Sequence, residues 1–201
     1  LVGAEPGDII FTSGGTESDN LAIFGLGSVE GVAVCSAVEH HAVLDPVAAL
    51  DGRFVAVDRL GNVASADLER VLVEGPVRVV SLMVVNNETG VIADLESLRK
   101  VVRKAAPGAA LHSDAVQAFC WTDIAKACSA VDSFSLSAHK FGGPKGMGIM
   151  VLREGATLEP LILGGGQERD RRSGTHNVAG IVGTSIALSL TDKNRQSEVA
   201  R

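Results

Sequence analysis

The chain has 201 residues, 46% of them hydrophobic, which is enough for one sizeable core and short for two full domains. A formal net charge of -6 gives no electrostatic footprint for nucleic acid or an anionic membrane surface, so a small-molecule partner is favoured. No apolar run approaches a membrane span, the opening LVGAEPGDIIF lacks the basic-then-apolar pattern of a secretory signal, and Cys35, Cys120 and Cys128 lack C-x-x-C spacing, so the reading is a soluble protein with reduced cytoplasmic thiols and no metal.

Short apolar runs rich in β-branched residues predict buried strands at 8 to 12, 32 to 37, 53 to 57, 77 to 85, 108 to 113, 132 to 136 and 147 to 152. Helical patterns fall between several of them, at 17 to 26, 42 to 50, 66 to 73 and 94 to 105, the last with Leu95, Leu98, Val101 and Val102 at helical spacing. The glycine-rich, charged stretch from 163 to 177 predicts a long loop, followed by a helix from 178 to about 190. This alternation predicts an α/β domain with a mostly parallel sheet flanked by helices. In such a sheet a ligand binds outside the carboxyl ends of the strands, so the strand-to-loop junctions are where chemistry is expected.

Five junctions carry unusual polar residues. TSGGTESDN, 12 to 20, places Gly14, Gly15 and Thr16 between a strand and a helix, where free amides and the Thr16 hydroxyl can cradle a phosphate. An ordinary tight turn with a helix cap is the alternative. The AVEHH junction offers His40, readable also as a structural histidine, and VVNNETG follows the fourth strand. In HSDAVQ, 112 to 117, Asp114 ends an apolar strand and can keep a pyridine nitrogen protonated, or it can cap the following helix. In DSFSLSAHKFGGPKGMG, 132 to 148, Lys140 is placed as a reactive amine able to join an aldehyde cofactor. Ser137 and His139 share strand parity and can both point toward a phosphate, while an exposed loop lysine is the plain alternative for Lys140.

Taken in order, TSGGTESDN, EHHAVLD, VNNETG, HSDAVQ, SAHKFGGPKGMG and GGGQERDRRSGT resemble the signature segments of cysteine desulfurases of the class V aminotransferase superfamily, over residues 8 to 190. The resemblance implies the large domain of a pyridoxal-phosphate-dependent transferase over 1 to 165. Residues 166 to 201 are then a glycine-rich loop and helix leading toward a small domain. It implies pyridoxal 5'-phosphate as cofactor, with Lys140 as its covalent anchor, His40 stacked on the ring, and Lys140 or His40 moving protons. Asp114 partners the pyridine nitrogen, Asn87 and Gln117 lie near the phenolic oxygen side, and Gly15, Thr16, Ser137 and His139 hold the phosphate. Thr175 matches a residue that reaches the neighbouring subunit's phosphate, which implies a homodimer.

By the same resemblance the substrate is L-cysteine, converted to L-alanine as sulfur passes to an enzyme cysteine. From there it goes to an acceptor such as an iron-sulfur scaffold or a tRNA thiolation enzyme. The sulfur-receiving cysteine and the arginine that grips the substrate carboxylate lie, in the family, beyond Arg201, and the opening Leu1 and the trailing TDKNRQSEVAR suggest a fragment. A selenocysteine lyase, another class V aminotransferase, or a catalytically incomplete cofactor-binding fragment are the competing expectations. None of the three cysteines matches the nucleophile: Cys35 sits inside a strand, and Cys120 and Cys128 follow the HSDAVQ helix, where packing is their expected role.

Overall fold

The computed structural model describes residues 1–200. Seven strands form one sheet: β1 (Ile9–Thr12), β2 (Val32–Ser36), β3 (Arg53–Val55), β4 (Val77–Ser81), β5 (Ala110–Asp114), β6 (Ser133–Ser137) and β7 (Gly148–Leu152). Six α-helices accompany them: α1 (Gly15–Gly25), α2 (His41–Ala49), α3 (Ser65–Leu72), α4 (Leu95–Ala105), α5 (Ile124–Ala127) and α6 (Val178–Val199). The spatial order is β1-β7-β6-β5-β4-β2-β3. From β6 to β3 every pairing is parallel, whereas β7 runs antiparallel to both β6 and β1. The expected mostly parallel sheet is therefore present. Because β7 is the single reversed strand, β1, β2, β4, β5 and β6 all deliver their carboxyl ends to one edge.

Both faces of the sheet are covered, which is why its strands read as nearly unbroken apolar runs. On one face Ala33, Cys35, Val79 and Met150 pack beneath α1 and α2. On the other, Val34, Val80, Leu111, Phe134 and Leu136 pack beneath α3 and α4. The period-two parity of strands sorts these residues. Leu111→Ala, at a position with no exposed surface, is expected to lower unfolding free energy by roughly 2–5 kcal/mol in a denaturant titration, through lost transfer energy plus a residual cavity.

Two differences from the sequence reading have local causes. The 77 to 85 run is regular strand only to Ser81, yet Leu82 and Val84 still donate backbone hydrogen bonds to His112 and Asp114, so the ladder continues irregularly toward the junction. No helix follows HSDAVQ directly: the Asp114 carboxylate accepts the Val116 N–H at 2.9 Å and starts a series of turns, and α5 begins only after Asp123 caps it.

Candidate functional site

The shared carboxyl edge opens on a cavity of about 180 Å³. Gly15 and Thr16 reach it from the start of α1, His40 from the β2–α2 junction, and Asn87 from the turn after β4. Asp114 and Gln117 come from the end of β5, and Ser137, His139 and Lys140 from the end of β6. Thr175 is exposed and lies outside this lining. Residues from five separate junctions thus share one wall.

Each contribution has a local cause. The first-turn amides of α1 have no carbonyl one turn earlier to bond, so Gly15, Thr16 and Glu17 present free N–H groups where helix polarity favours an anion. Gly15 has no room for a side chain: a Cβ there would lie 2.6 Å from Val116 Cγ2. The helix is held in place from outside the cavity by Arg172, which donates Nε to Glu17 Oε1 at 2.7 Å and Nη2 to Oε2 at 3.2 Å. Burial alone would raise the Glu17 carboxyl, but hydrogen bonds from Arg172 and Ser13 leave it below its usual range.

His40 caps α2: the Ala42 N–H donates to its Nδ1 at 3.0 Å, so the neutral ring carries its proton on Nε2. In the NNETG turn the two asparagines have separate tasks. Asn86 is buried, accepts from Glu88 N, Thr89 N and Thr89 Oγ1, and donates to the Val38 carbonyl at 2.8 Å. That leaves Asn87 exposed at the cavity.

Strand parity does not carry His139. The strand ends at Ser137 and the chain tightens into a 3-10 turn, Ala138–Phe141, closed by Gly142 at φ 79°. The turn itself brings His139 back, and its Nδ1 lies 2.9 Å from Ser137 Oγ. Lys140 sits in the same turn and is exposed rather than desolvated, and its carbonyl accepts the Cys120 thiol at 3.2 Å. Asp114, by contrast, is only 3% exposed. Burial, with the charge of nearby Asp19 adding to it, pushes its carboxyl up to about 7.

Sequence reasoning passed over four lining residues: Asp19, Ala42, Met83 and Val116. Asp19 had a signal, since it lies four residues after Gly15 and therefore on the same helical face. A buried acid in the middle of a helix is also unusual unless it has partners. Among the described residues no cluster of His, Cys, Asp and Glu could hold a metal ion, and no helix is long and apolar enough to cross a membrane.

The three thiols are unpaired. Burial, helped by the charge of Glu39, drives the Cys35 thiol far above its ordinary range, and burial pushes Cys128 to about 12. Burial also raises the half-buried Cys120, with Arg195 pulling the other way. Thiolates form reluctantly at all three.

Comparison with known proteins adds an independent finding. The profile of the family described as aminotransferase class-V matches residues 1–201. The cysteine desulfurase IscS of Dictyoglomus turgidum is 41% identical over 209 aligned positions, which span 100% of this chain and 52% of that protein. A solved NifS-like protein superposes with a TM-score of 0.88 at 37% identity, covering 98% of this chain and 56% of that one. SspA, solved in complex with cysteine, superposes at 0.82 with 33% identity, covering 94% and 56%. The chain spans about half the length of these relatives.

Proposed function

The chain belongs to the class-V aminotransferase family, and from that premise we propose that it is the pyridoxal-phosphate-binding part of a cysteine desulfurase. One observation carries the reading: an amine, a buried carboxyl, an imidazole and a helix N-terminus, from four junctions far apart in sequence, face one cavity. The names of the relatives and the cysteine bound to SspA support it.

The donor set fits the cofactor. The free amides and Thr16 hydroxyl at α1, with Ser137 and His139, suit a phosphate. Asp114 suits a protonated ring nitrogen, because a cation beside it relieves the cost of ionising a buried carboxyl. The Lys140 amine suits an aldehyde, His40 offers a flat ring and one free Nε2–H, and Asn87 and Gln117 offer amide donors on the remaining side. When bound, pyridoxal phosphate supplies an electron sink that weakens the bonds at a substrate α-carbon. The protein's own part is to hold the ring nitrogen's proton at Asp114 and to place the Lys140 amine and the His40 ring in the cavity, where either can move protons.

The wider reading includes L-cysteine as substrate, L-alanine as product, an iron-sulfur scaffold or tRNA thiolation enzyme as sulfur acceptor, and a homodimer in which Thr175 reaches the neighbour's phosphate. It includes the division into a large domain, 1–165, and a segment, 166–201, leading toward a small domain. The compartment proposed is the cytoplasm, where thiols stay reduced, consistent with three free cysteines.

Two measurements on the 201-residue chain test this. Added pyridoxal phosphate is expected to give a saturable visible absorption band, and a chain that gives none refutes the reading. Supplied with cofactor and L-cysteine under reducing conditions, the same chain is expected to release no sulfide, because its three thiols are buried or held protonated. A full-length protein containing it is expected to release sulfide and alanine. Sustained sulfide from the 201 residues, lost on mutation of one of the three cysteines, would show that the nucleophile lies within this chain.

A further inference from the structure

Beneath the cavity lies a chain of buried polar groups with no part in the reading above. His112 and Asp114 alternate on β5, Ser133 and Ser135 alternate on β6, and the parallel register sets His112 beside Ser133 and Asp114 beside Ser135. All four therefore face α1, while Ser113 and Phe134 face the opposite core. Asp19 comes down from α1 to meet them. Its Oδ1 accepts the Ser135 hydroxyl and lies 3.3 Å from His112 Nε2, and His112 Nδ1 lies 2.9 Å from Ser133 Oγ. Asp19 is 1% exposed, and His112, Ser133 and Ser135 are fully buried.

Resting on the assignment of the cavity to pyridoxal phosphate, we propose that Asp19 and His112 are positioning residues for Asp114: the Ser135–Asp19–His112–Ser133 chain fixes the charge beside the carboxylate that faces the ring nitrogen, and so sets how firmly that nitrogen stays protonated.

The polarity of the chain follows from donors and acceptors. Burial holds His112 down to about 4, so its ring is neutral near pH 7, with one N–H and one lone pair. With Asp19 ionised, Nε2–H donates to it and the lone pair on Nδ1 accepts the Ser133 hydroxyl. With Ser135 also donating, Asp19 is the acceptor at which both ends converge, and the negative charge collects there. Burial pushes Asp19 up to about 7, against the Ser135 hydrogen bond. Two neighbouring carboxyls in a dry site do not both ionise unless a cation joins them, and a protonated ring nitrogen is such a cation. The other titratable groups facing this region are Glu39, whose carboxyl burial drives well up, and His40, His139 and Lys140 on the cavity wall. A purely structural polar contact would be served equally by asparagine, which is nearly isosteric with aspartate.

Asp19→Asn separates the two roles, because it removes the charge and keeps the shape. In the cofactor-loaded chain the pH midpoint of the visible band is expected to fall by about one unit, since one negative charge no longer favours the protonated form. Ser135→Ala, which makes Asp19 harder to ionise, is expected to shift it the same way by less, and it carries the test should Asp19→Asn fail to fold. The cofactor-free chain gives a second readout. Asp19 has an ordinary value of 3.8 and a folded value of about 7, so its ionisation removes stability as pH rises from about 4 to about 7. Asparagine has no such loss, and the melting temperature of Asp19→Asn relative to the unmodified chain is expected to climb across that window. The contribution of His112 runs oppositely, lost as pH falls from 6.5 to about 4, and is shared by both chains. An unmodified chain without a visible band overturns the cavity assignment and this inference together. A normal band whose midpoint stays put in both variants overturns this inference alone.

Discussion

Lys140→Ala is expected to remove the visible band that pyridoxal phosphate gives with this chain, and to lower turnover by a full-length protein on the order of a thousandfold or more. Among the described residues Lys140 is the one lysine that lines the cavity. Its place is built by several features at once: β6 ends at Ser137, the 3-10 turn follows, Gly142 at φ 79° closes that turn, and the Cys120 thiol holds the Lys140 carbonyl. The amine is thus delivered beside Ser137 and His139 from a fixed backbone, though the side chain is exposed. The direct check is borohydride reduction of the loaded chain followed by peptide mapping. The label should fall on the peptide that contains Lys140 and be lost in the alanine variant. A label retained on the same peptide in Lys140→Ala would refute the assignment.

Asp114→Ala is expected to cut turnover by roughly a hundredfold or more while leaving cofactor retention within a few-fold, because it removes an interaction aimed at the ring nitrogen and leaves the phosphate contacts intact. Thr16→Ala and Ser137→Ala are expected to do the reverse, weakening retention more than chemistry. The split has a geometric basis. Thr16 sits at the first turn of α1 and Ser137 bonds His139, whereas Asp114 is buried at the end of β5 with one oxygen already occupied by the Val116 amide. Dialysis against phosphate measures retention and steady-state assay measures turnover. Equal loss of cofactor in all three variants would count against separate roles.

Much of the architecture was legible in the residues themselves. All seven predicted strands are present within a few residues of their apolar runs, because a sheet covered on both faces needs unbroken apolar strands and the helical patterns between them bury a single stripe. The motif at each junction was legible for a related reason: glycines, a cap, an acid or a lysine at a strand's end break the apolar pattern locally, and local breaks need no knowledge of the fold.

What sequence could not supply was relation between elements. Parity placed His139 beside Ser137, but the pairing is made by a 3-10 turn that no alternation of residues announces. A cap on a following helix was the plain alternative for Asp114, yet its carboxylate starts a turn and the helix begins later, after Asp123. Ser133, Ser135 and Ser137 alternate with Phe134 and Leu136 in a pattern that ordinarily marks one wet face, and only the packing of α1 over β5 and β6 turns that face into the floor of a cavity. Asp19 and His112 lie 93 residues apart. The sequence alone therefore determined the strands, the helices and the kinds of chemistry at their ends, through periodicity and local steric rules. The tertiary structure alone decided which ends meet, that Lys140 stays exposed, and that the charge of Asp19 helps raise the Asp114 carboxyl, because burial and through-space charge depend on neighbours brought together by the fold.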